Sequence, residues 1–129
     1  MYELADNIIK LRLATRKVCM CEGDAKKSTI SLKTKVLALI ERGLSTREIL
    51  LTLMIAKTNL ALLTKEMAFE GLIEKSKGES DRREVRYSIT KTGTEYLNER
   101  KKAIEESVSV SDRDKAIELI CEATKLLKL

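Results

Sequence analysis

Residues 71–93, GLIEKSKGESDRREVRYSITKTG, decide the fold of this chain. The stretch predicts the end of a helix, a strand, a polar turn, a second strand and the start of a new helix near Thr90. In the second strand apolar and polar side chains alternate in the order Val85, Arg86, Tyr87, Ser88, Ile89. A period of two predicts one buried face and one solvent-facing face. The segment is therefore predicted to be a short β-hairpin between two helices.

The loop of this hairpin carries two arginines, Arg82 and Arg83, directly after Asp81. A short hairpin with arginines at its tip, placed after a helix, is typical of the wing of a winged helix. Such a wing contacts the backbone and the narrow groove of DNA. We therefore predict a wing over residues 73–90, with both arginines as DNA contacts.

Length and composition limit the fold class. The 129 residues are about the size of one domain, and the chain has 5 Gly and no Pro among many strong helix formers. We expect a single domain over residues 1–129, mainly α with a small β-hairpin wing. The net charge of +5 suits a polyanionic partner, although charge speaks to association and not to fold.

This sequence lacks the residues that several kinds of chemistry require. The chain has no His, which excludes imidazole bases and His-ligated metals. Neither a Gly-rich phosphate loop nor a nucleophile–base pair is found, so we expect no enzymatic activity and no cofactor. No apolar run reaches about 18 residues, so no membrane segment or signal peptide is predicted. Three Cys without a disulfide framework favour the reducing cytoplasm.

The order of predicted elements is that of a helix-turn-helix followed by a wing. Ser45 and Glu48 form a capping box, and Gly43 stops the helix before it. The last helix is predicted to be capped by Ser111 with Asp114. Apolar periodicity and these signals place the helices at residues 3–21, 32–42, 46–54, 57–70, 90–107 and from 111 on.

The terminal helices flank a central unit, residues 30–90, that is complete without them. Their apolar stripes, at Leu4 and Ile8 in the first helix and at Ile117 and Ile120 in the last, need a surface to cover them. They either pack on their own chain or join two chains. We prefer a homodimer, with residues 1–21 and 91–129 as dimerisation helices.

The fourth helix is the candidate recognition helix. If Leu60, Leu63 and Met67 face the core, the opposite face presents polar and apolar side chains alike. Near the start of such a helix Asn and Thr can contact base edges, while Lys contacts phosphates. The predicted DNA contacts in this helix are Lys57, Thr58, Asn59, Leu62 and Lys65, with Phe69 on the same face.

These motifs resemble the MarR family of bacterial and archaeal transcription regulators. The family's wing has an Asp-x-Arg pair, matched by Asp81 and Arg83, and Asp81 would stabilise the wing. The family's Leu-Thr-x-x-Gly is matched by residues 89–93, with Ile for Leu, and Gly-Leu-Ile by residues 71–73. The resemblance implies a homodimer that binds a pseudo-palindromic site on double-stranded DNA. It also implies repression relieved by an anionic or phenolic small molecule, held in a crevice between the terminal helices and the winged unit.

One position departs from this pattern. Many relatives carry Arg where this chain has Leu62, and Phe69 also lies on the nominally exposed face. Apolar side chains there suit thymine methyl groups, or Phe69 packs under the wing. The alternative is a winged helix that binds protein instead of DNA. The wing arginines favour the DNA-binding interpretation.

The cysteines leave a further alternative open. Cys19 and Cys21 lie where the first predicted helix ends, and Cys121 lies in the last helix. The pair resembles the thiolates of ArsR-type metal sensors, whereas cysteines near both termini resemble the peroxide-sensing branch of the MarR family. Free Cys most often acts as a small buried apolar side chain, which is the role we prefer.

Overall fold

The structure is a computed structural model, and it describes residues 2–18, 30–76, 85–106 and 109–127. The described part is mainly helical with one antiparallel hairpin, as predicted. Residues 30–100 form one compact unit, the winged unit; residues 1–29 and 101–129 form a second, the terminal unit. The elements are α1 Glu3–Val18, α2 Leu32–Glu41, α3 Thr46–Leu53, α4 Lys57–Phe69, β1 Ile73–Ser76, β2 Arg86–Ile89, α5 Lys91–Glu106 and α6 Val110–Leu126.

The predicted start of α3 is confirmed. The Ser45 hydroxyl accepts the Glu48 N–H at 3.2 Å, and the Glu48 carboxylate accepts the Ser45 N–H at 3.0 Å. This reciprocal pair satisfies two of the donors that a helix start leaves unpaired. Before it, Gly43 has φ +85°, the left-handed conformation that ends α2 as predicted.

One side of α4 is buried by Leu60, Thr64 and Met67. The sequence predicted Leu63 at the second of these positions, but Leu63 is only half-buried. Thr64 takes the buried place because its hydroxyl has local acceptors, the carbonyl oxygens of Leu60 at 2.9 Å and Ala61 at 3.1 Å. A satisfied hydroxyl costs little to bury.

The junction between β2 and α5 explains why the motif needs Thr and Gly. The Thr90 hydroxyl accepts the Gly93 N–H at 3.0 Å and so caps α5. The same hydroxyl lies 2.6 Å from the Gly71 carbonyl oxygen and 3.0 Å from that of Leu72, either of which can accept its proton. A Cβ on Gly93 would stand 2.1 Å from the Leu72 oxygen. Only glycine allows this approach of helix to strand.

Every element of the winged unit except β2 contributes a buried apolar residue to the core, and Tyr87 and Ile89 of β2 pack against it while partly buried. The sequence placed residues 91–129 with the dimerisation helices, but the first part of α5 belongs to the winged unit, where Leu97 is buried. The Tyr96 ring lies on the same helix with the Lys33 ammonium 5.3 Å and the Arg100 guanidinium 5.0 Å from its centroid. The buried apolar residues are Val36, Leu37, Leu39, Ile40, Ile49, Leu60, Met67, Leu72, Ile73 and Leu97.

In the terminal unit α1 and α6 leave their apolar stripes exposed. Leu4, Ile8, Ile117 and Ile120 are all exposed, and α6 has no buried residue. The predicted start of α6 at Ser111 is wrong by two residues. The N-cap is Ser109, which is extended and donates its hydroxyl to the Asp112 carboxylate at 2.5 Å.

Candidate nucleic-acid interface

The outward face of α4 is composed as the periodicity predicted. Thr58, Asn59, Leu62 and Lys65 lie away from the side that Leu60 and Met67 bury, and all four side chains are exposed. Base-reading helices need such a face, since the core side chains fix the helix while the others remain free to reach a groove.

The start of α4 is open. Its N-cap residue is Ala56, which has no side-chain oxygen to accept the first N–H groups, and the first turn has no acidic residue. These N–H groups and the helix dipole favour an anion near the helix start. The exposed side chain of Lys57 adds a positive charge there. The start of α4 therefore suits a phosphate of a nucleic-acid backbone.

Two long-range contacts tie the base of the hairpin to the helix-turn-helix. The Val85 carbonyl oxygen accepts both the N–H of Thr46 at 3.1 Å and its hydroxyl at 3.0 Å. The Arg86 guanidinium donates to the Gly43 carbonyl oxygen at 2.8 Å. The alternation had predicted Arg86 on the solvent-facing side, but this bond holds it half-buried. The sequence analysis did not predict that Thr46 and Arg86 position the hairpin. No local sequence pattern signals these long-range hydrogen bonds.

Exposed side chains of both charges lie on α4 and β1. Lys57 and Lys65 are exposed on α4, and Lys75 is exposed on β1. Glu66 is exposed too, whereas the Glu70 carboxylate is paired with the Lys33 ammonium at 2.6 Å. This pairing reduces the negative charge that α4 would bring towards a phosphate backbone.

The predicted tip of the wing, with Asp81, Arg82 and Arg83, lies outside the described residues. Their roles remain predictions. What the structure does describe is the base of the wing, an antiparallel pair whose register joins Ile73 to Ile89 and Ser76 to Arg86.

Of the three cysteines the structure describes only Cys121, which is exposed on α6 and not buried as we had preferred. Cys19 and Cys21 lie outside the described residues. Within the described ranges no group of His, Cys, Asp and Glu is arranged to hold a metal ion. The helices described are also too short or too polar to cross a membrane.

A cleft of about 160 Å³ opens beside α4. It is smaller than the roughly 300–1,000 Å³ typical of small-molecule sites, so we do not regard it as a ligand pocket. Its walls come from α3, α4 and the residues at the start of the second strand: Thr46, Leu50, Lys57, Leu60, Ala61, Thr64, Val85 and Tyr87.

Comparison with known proteins defines the class of this unit. Residues 35–93 match the family described as "Winged helix DNA-binding domain". The matched range runs from α2 through the helix-turn-helix and the hairpin to Gly93. Among curated proteins none has a significantly similar sequence.

Solved structures extend the likeness to nearly the whole chain. The transcriptional regulator BldR from Sulfolobus solfataricus has 20% identity and a TM-score of 0.69, over 98% of this chain and 93% of that chain. Wild-type MarR from E. coli has 13% identity and a TM-score of 0.65, over 93% and 96%. NadR in complex with 4-hydroxyphenylacetate has 20% identity and a TM-score of 0.64, over 98% and 84%.

Residues 35–93 are thus similar to the winged helix DNA-binding domain family. The fold of the chain is similar to that of MarR and BldR along nearly its full length. The predicted resemblance and the predicted fold class are both confirmed.

Proposed function

We propose that this protein is a sequence-specific regulator of transcription that binds double-stranded DNA through α4 and the wing. The observation that carries the proposal is the outward face of α4, where Thr58, Asn59 and Lys65 are exposed on a helix fixed from behind. By resemblance to the MarR family it acts as a repressor in the cytoplasm.

The proposed contacts divide into two kinds. Asn59 pairs with an adenine, because its amide matches the donor and acceptor that adenine shows in the major groove, and Thr58 contacts a base edge beside it. Lys57 and Lys65 contact phosphates, which position the helix but read no sequence. Arg82 and Arg83, in the wing, contact the DNA backbone and the narrow groove.

A homodimer is the proposed assembly. The exposed apolar side chains of α1 and α6, among them Leu4, Ile8, Ile117 and Ile120, support it, because a soluble monomer seldom exposes so much apolar surface along two helices. Two-fold symmetry would present two copies of α4 to a pseudo-palindromic site.

The proposed effector is an anionic or phenolic small molecule that weakens DNA binding. Support comes from the likeness to NadR, whose structure contains 4-hydroxyphenylacetate. Binding of the effector would favour a conformation of the protein that fits DNA less well.

The test is direct binding of the purified protein to duplex DNA. The DNA upstream of its own gene and a random duplex of equal length are titrated at several salt concentrations. We expect tighter binding to the first, and a log affinity that falls linearly with log salt for both. If neither duplex binds at low salt, the proposal fails.

Asn59 and Lys65 are expected to respond differently to truncation. Asn59→Ala should cost about 1–3 kcal/mol on the specific duplex and little on a random one, since it removes a base contact. Lys65→Ala is the matched control from the same exposed face, and it should weaken both duplexes alike. Fluorescence anisotropy with both duplexes measures the difference. Equal losses from the two variants would remove Asn59 from the set of base-reading residues.

Arg83→Ala should weaken binding to every duplex, because a wing arginine contributes charge. The slope of log affinity against log salt should become shallower by about 1, the expected change when one phosphate contact is lost. An unchanged affinity and slope would show that the wing does not contact DNA through Arg83.

A second function is favoured by one observation. Leu62 and Phe69 are exposed on α4, Phe69 by 93% of its surface, and aromatic side chains such as Phe are enriched in protein interfaces. A winged helix that binds a protein partner would use them instead of Asn59. Absence of duplex binding, with retained folding, would support this function over the first.

A further inference from the structure

We propose that Leu62 is a specificity-determining residue of α4, and that it recognises the 5-methyl group of a thymine. The inference rests on the proposed function, because it requires α4 to lie in the major groove of DNA. Within that proposed site, the thymine 5-methyl group is what Leu62 would contact.

Leu62 occupies the centre of the outward face. At about 100° per residue, Thr58 lies about 40° to one side of it and Glu66 about 40° to the other. The buried residues Leu60 and Met67 lie on the far side of the helix. Leu62 itself is 69% exposed, so the described part of the chain gives it no core to join.

A single exposed leucine needs no explanation on an ordinary protein surface. Here its neighbours point to a ligand. Thr58, Asn59 and Lys65 surround it with exposed hydrogen-bonding groups. The side chain at the centre of a base-reading face meets base edges and not phosphates. In the major groove of B-DNA the apolar group on those edges is the thymine methyl, and apolar side chains contact it.

The proposed contact of Asn59 with an adenine is consistent with a thymine beside Leu62. An asparagine that pairs with adenine places the helix against an A·T base pair, and each such pair has a thymine methyl in the same groove. Leu62 follows Asn59 by three residues, one turn along the helix, and it is therefore placed to reach the same or a neighbouring base pair.

The surrounding charges favour DNA over a protein partner for Leu62. The next exposed apolar residue on this face is Phe69, seven residues or about 10 Å further along the helix. Between the two lie the exposed charged residues Lys65 and Glu66. Charged residues are depleted from the centre of protein interfaces, whereas a major groove is met by polar and charged side chains around few apolar contacts.

The test removes the methyl group and the leucine separately and together. Wild-type protein first selects its preferred site from a random duplex library, and each thymine of that site is then replaced, one at a time, by deoxyuridine. Dissociation constants are measured for the wild type, Leu62→Ala and Leu51→Ala. Leu51 is the matched control, a leucine on α3 that is 72% exposed.

We expect one thymine in each half-site at which deoxyuridine weakens wild-type binding about fourfold, the effect of one buried methyl group. Leu62→Ala should lose this sensitivity, whereas Leu51→Ala should keep it. The inference is overturned if Leu62→Ala remains as sensitive as the wild type, or if no replaced thymine affects a site that the wild type does select. The proposed function survives both of those results. If the wild type binds no duplex, both ideas fail together.

Discussion

Replacing Gly93 with Ala is expected to destabilise the winged unit severely. The new Cβ would lie 2.1 Å from the Leu72 carbonyl oxygen and 2.8 Å from Cγ1 of Ile89. A backbone oxygen cannot turn away as a side chain can, so α5 must separate from the strand. We expect a loss of about 3 kcal/mol in the free energy of unfolding, the upper end of ordinary overpacking effects.

Urea denaturation followed by circular dichroism measures this loss. Gly43→Ala is the matched control, because Gly43 has φ +85° but open space around it, with no atom within 4 Å of an added Cβ. Its cost should be limited to about 1 kcal/mol, from the left-handed backbone alone. Equal costs for the two variants would show that the close approach at Gly93 does not exist in solution.

Introducing charge into the stripe of α6 is expected to abolish the proposed dimer. Ile117 and Ile120 are exposed by 58% and 52% in the single chain, so their replacement by Asp should hardly affect the fold of a monomer. If they are buried between two chains, each buried isoleucine contributes about 1.5–3 kcal/mol. Loss of both from each protomer should raise the dimer dissociation constant by about four powers of ten or more.

Sedimentation velocity across a concentration series is the measurement. Lys115→Asp is the control on the same helix. Lys115 is exposed and pairs with Glu118 at 3.4 Å, a surface ion pair of small energetic value, so this variant should remain a dimer. A dimer that persists in the Ile117→Asp, Ile120→Asp variant would place the interface elsewhere.

Local sequence signals predicted the structure correctly where all of the interacting residues lie within one turn of the chain. The capping box of Ser45 and Glu48 and the left-handed turn at Gly43 were predicted and are present. The exposed face of α4 around Leu62 was also predicted, because helical periodicity relates residues only a few positions apart. The N-cap of α6 was missed by two residues, since helix ends are defined only to within one or two residues and Ser109 and Ser111 are both serines.

Burial was harder to predict for polar side chains whose hydrogen bonds are made within the protein. Thr64 is more deeply buried than Leu63, which packs against the core while half-buried, because the Thr64 hydroxyl is bonded within its own helix. Hydrophobicity alone ranks the leucine first. The same limit applies to Arg86, whose place in an alternating strand predicted exposure, although its guanidinium donates to a carbonyl oxygen in the turn between α2 and α3.

The sequence by itself determined the order of elements, the helix-turn-helix, the two paired strands and the exposed face of α4. Tertiary structure alone decided how these parts are fixed to each other. The Thr46 hydroxyl bonds Val85, 39 residues away, and Arg86 bonds Gly43, 43 residues away. Gly93 likewise owes its necessity to Leu72. Caps and periodicity act within a turn of helix, whereas these contacts exist only after the chain has folded and brought distant residues together.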